Sequence, residues 1–133
     1  MSLTHFTNAT RRILVVDDEE VIREATRDYL ASHGYTVDCA REREEAEALI
    51  AKHDYTLVVA DMRLTGGHGR EGLELISWLR ECRPDARAIV LTAYASPELE
   101  RESLRRGADL FLEKPVPLSE LAACAGRLLA EFA

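Results

Sequence analysis

The sequence predicts an α/β fold in which one parallel sheet carries helices on both faces. Three observations lead there. Short continuous apolar runs alternate along the chain with segments of helical apolar spacing. The strongest runs lack polar alternation, which marks strands covered on both sides. The length of 133 residues allows one real core but not two ordinary domains.

The elements follow in order. Residues 12–16, RILVV, make the first buried strand. The segment 19–33 sets Ile22, Ala25, Tyr29 and Leu30 on one helical face, and Gly34 is placed to end it. Residues 35–40, YTVDCA, read as a weaker strand, and 42–53 as a helix burying Ala46, Leu49 and Ile50. YTLVVAD, 55–61, is the second strongly apolar strand, followed by the Gly-rich TGGHG. A helix with Leu75, Ile76 and Leu79 inward comes next, and Pro84 lies beyond its end. ARAIVLTA, 86–93, is another buried strand. The segment 97–106 opens on Pro97 and offers only Leu99 and Leu104 to the interior. ADLFLEKP, 108–115, is a last strand stopped by proline. The final helix repeats Leu118, Leu121, Ala122, Ala125, Leu128, Leu129 and Phe132, the clearest stripe in the chain. These are five strand–helix units, which imply right-handed crossovers.

Bulk properties narrow the function. Apolar residues at 47% and charged residues at 31% describe a folded soluble chain. The net charge of −7, with no Lys/Arg-rich run, argues against a nucleic-acid partner. No apolar run reaches the roughly 18 residues of a membrane span. Cys39, Cys82 and Cys124 are an odd, widely spaced set, as expected for reduced thiols in the cytoplasm. Residues 1–11, MSLTHFTNATR, read as a disordered tail, leaving 12–133 as the domain.

In open parallel sheets, ligands bind at the carboxyl ends of the strands, where the strand order reverses. The residues placed there are Asp17 and Asp18, Asp61, Thr92 and Lys114. With the common order 2-1-3-4-5, the first and third strands are neighbours and their three acids share one crevice. Three close carboxylates need a counter-charge or a proton. Mg²⁺ suits such oxygen ligands, Lys114 adds a fixed ammonium, and Thr92 adds a hydroxyl. That set can stabilise a phosphoryl group transferred onto a carboxylate. Glu19 and Glu20 are explained by the first turn of a helix, where acids gain about 0.3–1 kcal/mol each. Asp18 also fits a helix N-cap.

At this point the chain resembles the receiver (REC) domain of two-component response regulators, from about Arg12 to its end. The residues that carry the resemblance are ILVVDDE, LVVADMRL around Asp61, IVLTAYAS around Thr92 and GADLFLEKP ending in Lys114-Pro115. It implies a flavodoxin-like, CheY-like (βα)5 domain. It further implies that Asp61 accepts a phosphoryl group from a sensor histidine kinase, a phosphotransfer protein or a small phosphodonor. Asp18, Asp61 and the backbone carbonyl of Arg63 would ligate Mg²⁺, with Asp17 helping through water. Thr92 and Lys114 would bind the phosphoryl oxygens. Thr92 and Phe111 would be the switch residues, reshaping the face of the fourth helix, fifth strand and fifth helix. That face is the family's frequent homodimer interface. Arg63 and Tyr94 stand where family members tune phosphoryl lifetime, and Lys114-Pro115 would be a cis peptide. Phe111 fits an ordinary core aromatic nearly as well.

Two departures stand out. Thr65 replaces the proline usual four residues after the acceptor, and the loop 65–72 is longer than the common form. The loop lacks the Gly-Lys-Ser/Thr of a P-loop, and His68 is a lone histidine within it. The expected role is a phosphoacceptor switch rather than an enzyme turning over substrate. Its alternatives are a Mg²⁺-dependent aspartyl-phosphate phosphohydrolase and a binding-only receiver. The expectation is either a stand-alone regulator or a receiver taken from a longer protein, with any effector domain outside these 133 residues.

Overall fold

The apolar runs become parallel strands because each presents hydrophobic side chains alternately to two covered faces. A computed structural model describes residues 11–63 and 70–130. The order is β1 (Arg12–Val16), α1 (Glu20–Ser32), β2 (Thr36–Ala40), α2 (Arg43–Lys52), β3 (Leu57–Asp61) and α3 (Glu71–Cys82). It continues with β4 (Arg87–Thr92), α4 (Pro97–Arg106), β5 (Leu110–Glu113) and α5 (Leu118–Ala130). All strands are parallel in the order β2-β1-β3-β4-β5, as expected.

Strand alternation divides the core in two. Ile13 and Val15, Leu57 and Val59, Ile89 and Leu91 face Leu30 of α1 and Leu121, Cys124, Ala125 and Leu129 of α5. Leu14 and Val16, Val58 and Ala60, Ala88 and Val90 face Ala46 and Ile50 of α2 and the Leu73–Leu79 stripe of α3. Each fully buried Leu or Ile contributes about 1.5–3 kcal/mol against leaving it in water. These two layers hold the carboxyl ends of the central strands in register, and so hold whatever side chains follow them.

The structure corrects the expected inward faces of α1 and α4. Ile22 is 39% exposed and Ala25 is also exposed, while Thr26 and Leu30 are buried. Thr26 tolerates burial because its hydroxyl donates to the Ile22 carbonyl at 2.8 Å. On α4, Leu104 is 45% exposed and Ser103 takes the buried position, with Leu99 packed against the core. The α1 helix does stop as expected: Gly34 has φ 96° and donates its N–H to Ala31. Arg11, expected in the tail, is buried; its guanidinium donates to the Leu129 carbonyl, and its own carbonyl accepts from Thr36. Most of the expected tail, and with it Thr65, His68 and Phe132, lies outside the described residues. Among the described residues no helix is long and apolar enough to cross a membrane.

Candidate functional site

Backbone hydrogen bonds between strand ends put the predicted residues around one crevice. The Asp17 N–H donates to the Ala40 carbonyl at the end of β2, 3.1 Å away. Its own carbonyl accepts from the Arg23 guanidinium of α1 at 3.0 Å. Asp61 closes β3 beside Leu91 of β4, and Met62 N–H donates to the Leu91 carbonyl at 2.8 Å. Helix α3 begins hard against this turn, with Gly72 N–H bonded to the Met62 carbonyl at 2.9 Å. A Cβ on Gly72 would lie 2.3 Å from the Asp61 carbonyl oxygen, so only glycine permits that approach. Lys114 N–H donates to the Thr92 carbonyl at 2.7 Å, which fixes the residue after β5 beside the end of β4.

The side chains converge on Lys114. Its ammonium donates to Asp61 Oδ2 at 3.0 Å and to Asp17 Oδ2 at 3.3 Å, and lies 3.8 Å from Glu19 Oε1. Asp17 and Asp61 are both buried. Asp61 Oδ1 also accepts from the Arg63 N–H at 3.3 Å. Burial pushes the Asp61 carboxyl above the ordinary aspartate value; Lys114 pulls it back, and the Asp17 charge adds to the rise. Burial works against the Lys114 ammonium, yet Asp61 and Asp17 together outweigh it and hold that pKa above the usual lysine range. The crevice thus holds more negative charge than its one close ammonium neutralises.

The structure sorts the predicted residues. Asp17, Asp61 and Lys114 meet directly, and Thr92 is buried at the adjoining strand end, its Oγ1 accepting from the Tyr94 N–H at 3.1 Å. Asp18 is exposed, and Glu19 rather than Asp18 precedes the first turn of α1. Phe111 is partly buried and packs against the core on the α2/α3 side. The Arg63 guanidinium lies over the Tyr94 ring, 5.4 Å from its centroid. The Lys114–Pro115 peptide is cis.

Glu19 is the residue that sequence reasoning passed over. One carboxylate oxygen each of Asp17, Glu19 and Asp61 lies within 4.8 Å of the others, an all-oxygen set of the kind a hard divalent cation prefers. The helix dipole accounted for Glu19 too easily. Its position two residues beyond Asp17 was the available signal: Asp17 Oδ1 accepts the Glu19 N–H at 2.9 Å, and that turn returns residue 19 toward the site.

Residues 13–125 match the family model for the response regulator receiver domain. The chain is 40% identical over 112 residues to the response regulator MprA of Mycobacterium sp. (strain KMS), covering 84% of this chain and 47% of that protein. It spans about half or less of the length of the curated relatives it matches. Among solved structures, it resembles a CheY-like receiver domain protein from Methanospirillum hungatei JF-1. The TM-score is 0.85 at 35% identity, covering 91% of this chain and 94% of that one. A response regulator from Burkholderia pseudomallei, solved with a phosphorylated aspartic acid, calcium ion and citrate, aligns at TM-score 0.78 and 33% identity. That match covers 92% of this chain and 73% of the other. Fold, strand-end chemistry and matched length therefore agree that the chain belongs to the response regulator receiver domain family of two-component systems.

Proposed function

We propose that this receiver domain is a switch driven by phosphorylation of Asp61. The observation that carries the reading is a buried aspartate at a strand end, 3.0 Å from a lysine ammonium and crowded by two further acids. One Asp61 oxygen forms the bond to phosphorus as the bond to the leaving group breaks. The leaving group is a histidine nitrogen of a sensor kinase or phosphotransfer protein, or the carboxylate of a small phosphodonor. The Lys114 ammonium is within reach of a phosphoryl oxygen on that carboxylate, and the Thr92 hydroxyl donates to another. The B. pseudomallei relative, with its phosphorylated aspartic acid, supports the same chemistry.

Mg²⁺ fits the residues present, because the donor set is all oxygen and its charge exceeds that of Lys114. Asp17, Asp61, Glu19 or Asp18, and the Arg63 carbonyl would hold it. Bound there, the ion neutralises charge on the acids and the incoming phosphate. Thr92 and Phe111 carry the change outward: turning the Thr92 hydroxyl toward phosphate breaks its bond to Tyr94 N–H, just before α4 begins. The thin apolar support of α4 makes it the element that yields. The α4–β5–α5 face then changes shape for a second copy, an effector segment or a partner protein. Three free thiols, Cys39, Cys82 and Cys124, support a cytoplasmic setting.

Incubation with Mg²⁺ and acetyl phosphate, followed by intact mass, tests this. One acid-stable, base-labile phosphate per chain that is lost in Asp61→Asn is the expected result. Multiple turnover without retained label would point to a phosphohydrolase, and no label to a binding-only domain.

A further inference from the structure

We infer that Arg23 is a positioning residue for the cation site: from the first turn of α1 it braces the segment that carries the β1 acids. The inference deepens the reading of that site as one for a divalent cation and rests on it. Residues 17–19 alone connect β1 to α1. Three hydrogen bonds close a ring through them. The Arg23 guanidinium donates to the Asp17 carbonyl at 3.0 Å, and the Glu19 N–H donates to Asp17 Oδ1 at 2.9 Å. The Arg23 N–H then donates to the Glu19 carbonyl at 2.8 Å. With the Asp17 N–H on the Ala40 carbonyl and Asp17 Oδ2 on Lys114, every polar atom of Asp17 is held. Of these bonds, only the one from Arg23 comes from a helix side chain.

Electrostatics oppose the arrangement that the ring preserves. Asp17, Glu19 and Asp61 bring carboxylate oxygens within 4.8 Å of one another, and like charges so close repel. Glu19 stands at the N-cap of α1 without a side-chain cap bond, and its side chain is 61% exposed, so capping does not turn it inward. An arginine beside such a site needs a reason, since its positive charge opposes a cation as much as it offsets the acids. Its guanidinium donates to a backbone carbonyl, which carries no net charge to neutralise. A rigid fork of donors set on a carbonyl restrains geometry instead. Outer partners of this kind orient the ligand groups of a metal site, and removing them costs affinity. The two roles open to Arg23 therefore have opposite signs. A charge acting through space weakens Mg²⁺ binding, and its removal tightens it. A brace strengthens binding, and its removal weakens it.

Calorimetric titration of the whole, unphosphorylated chain with Mg²⁺ separates the two. R23A is expected to raise the Kd about tenfold, the lower end of what losing such a partner costs. R23K, which keeps a donor and the charge, recovers most of that loss. R27A removes the same charge from α1, where Arg27 pairs with Asp28, and leaves the Kd within about twofold. The Glu19 amide proton, held by Asp17 Oδ1, is expected to move upfield in R23A. The Val15 and Val59 amides of the sheet stay in place, so the shift reads release of the turn in a folded chain. A Kd that is unchanged or lowered in R23A, or left high in R23K, overturns the brace. So does a Glu19 resonance indifferent to Arg23. A parent chain that binds no Mg²⁺ overturns the cation reading instead, and the Glu19 resonance still decides the brace.

Discussion

Asp38 on β2 and Asp61 at the end of β3 are the same side chain in one sheet, with opposite fates. Asp38 accepts from the Arg12 guanidinium at 2.9 Å and from the Tyr55 hydroxyl at 2.6 Å. Burial alone would raise its pKa, but those two partners outweigh it and hold the carboxyl below the ordinary range. At the amino ends of β4 and β5 the pattern repeats. Asp109 meets Arg80 at 2.9 Å and Arg87 at 3.5 Å, and accepts the Ala88 N–H at 2.8 Å. Arg80 also donates to the carbonyls of Gly107, Pro84 and Ala86. At the carboxyl ends, by contrast, Asp17, Glu19 and Asp61 share Lys114, and burial leaves Asp61 raised. Balanced charge at one end locks strands to helices. Unbalanced charge at the other leaves a carboxylate whose surroundings favour a cation or a phosphoryl group.

The largest expected effect pits the two ends against each other. Arg80→Ala and Lys114→Ala each remove the central cation of a cluster, and each should destabilise by about 3 kcal/mol. Saturating Mg²⁺ should restore Lys114→Ala in urea unfolding and leave Arg80→Ala unchanged. Equal rescue of both would erase the distinction. Next, Mg²⁺ itself should stabilise the parent by about 2.7 kcal/mol at a hundred times its Kd. Thermal melts with and without chelator read this, and the gain should vanish in Asp61→Asn.

An uncharged group extends the comparison to α4. Ser103 is fully buried, and its hydroxyl finds no partner among the described residues. Ser103→Ala should therefore stabilise by about 1 kcal/mol. A loss of stability would mean that the hydroxyl is satisfied in solution. The smallest effect is one of pH. A folded-state pKa raised above the unfolded value makes the Asp61 contribution most favourable below pH 3.8, the unperturbed value, and less so as pH climbs through the raised one. Without Mg²⁺, the stability of the parent relative to Asp61→Asn should fall across that window and then level off. A difference that rises with pH would contradict the raised pKa. Lys114 has the same sign in a higher window: its stabilisation is complete below pH 10.5 and is lost as pH passes the raised folded value.

Strand positions were legible because burial on both faces leaves an uninterrupted apolar run, visible without any contact map. The stripes of α3 and α5 were legible for the same reason, since Leu75, Ile76, Leu79, Leu121, Ala125 and Leu129 are apolar and buried together. The inward faces of α1 and α4 were not. Thr26 and Ser103 are polar and buried, while Ile22 and Leu104 are apolar and exposed, so residue type pointed the wrong way. Val21, also exposed, joins Ile22 and Ala25 in lining a cleft of about 330 Å³ with Val116, Leu118 and Leu121. A hydrophobic count cannot separate such a cleft from a core.

Sequence alone determined which residues end the strands: an acid pair after β1, an acid closing β3, a threonine closing β4 and a lysine after β5. Chain order and period-two burial dictate that much, because strands must run parallel to bury their runs. Only the tertiary structure decided which of those side chains touch. Glu19 rather than Asp18 turns toward Lys114, Gly72 lets α3 close on Asp61, and Arg63 meets Tyr94. Those outcomes depend on rotamers and on the approach of chain segments distant in sequence, which no local pattern encodes.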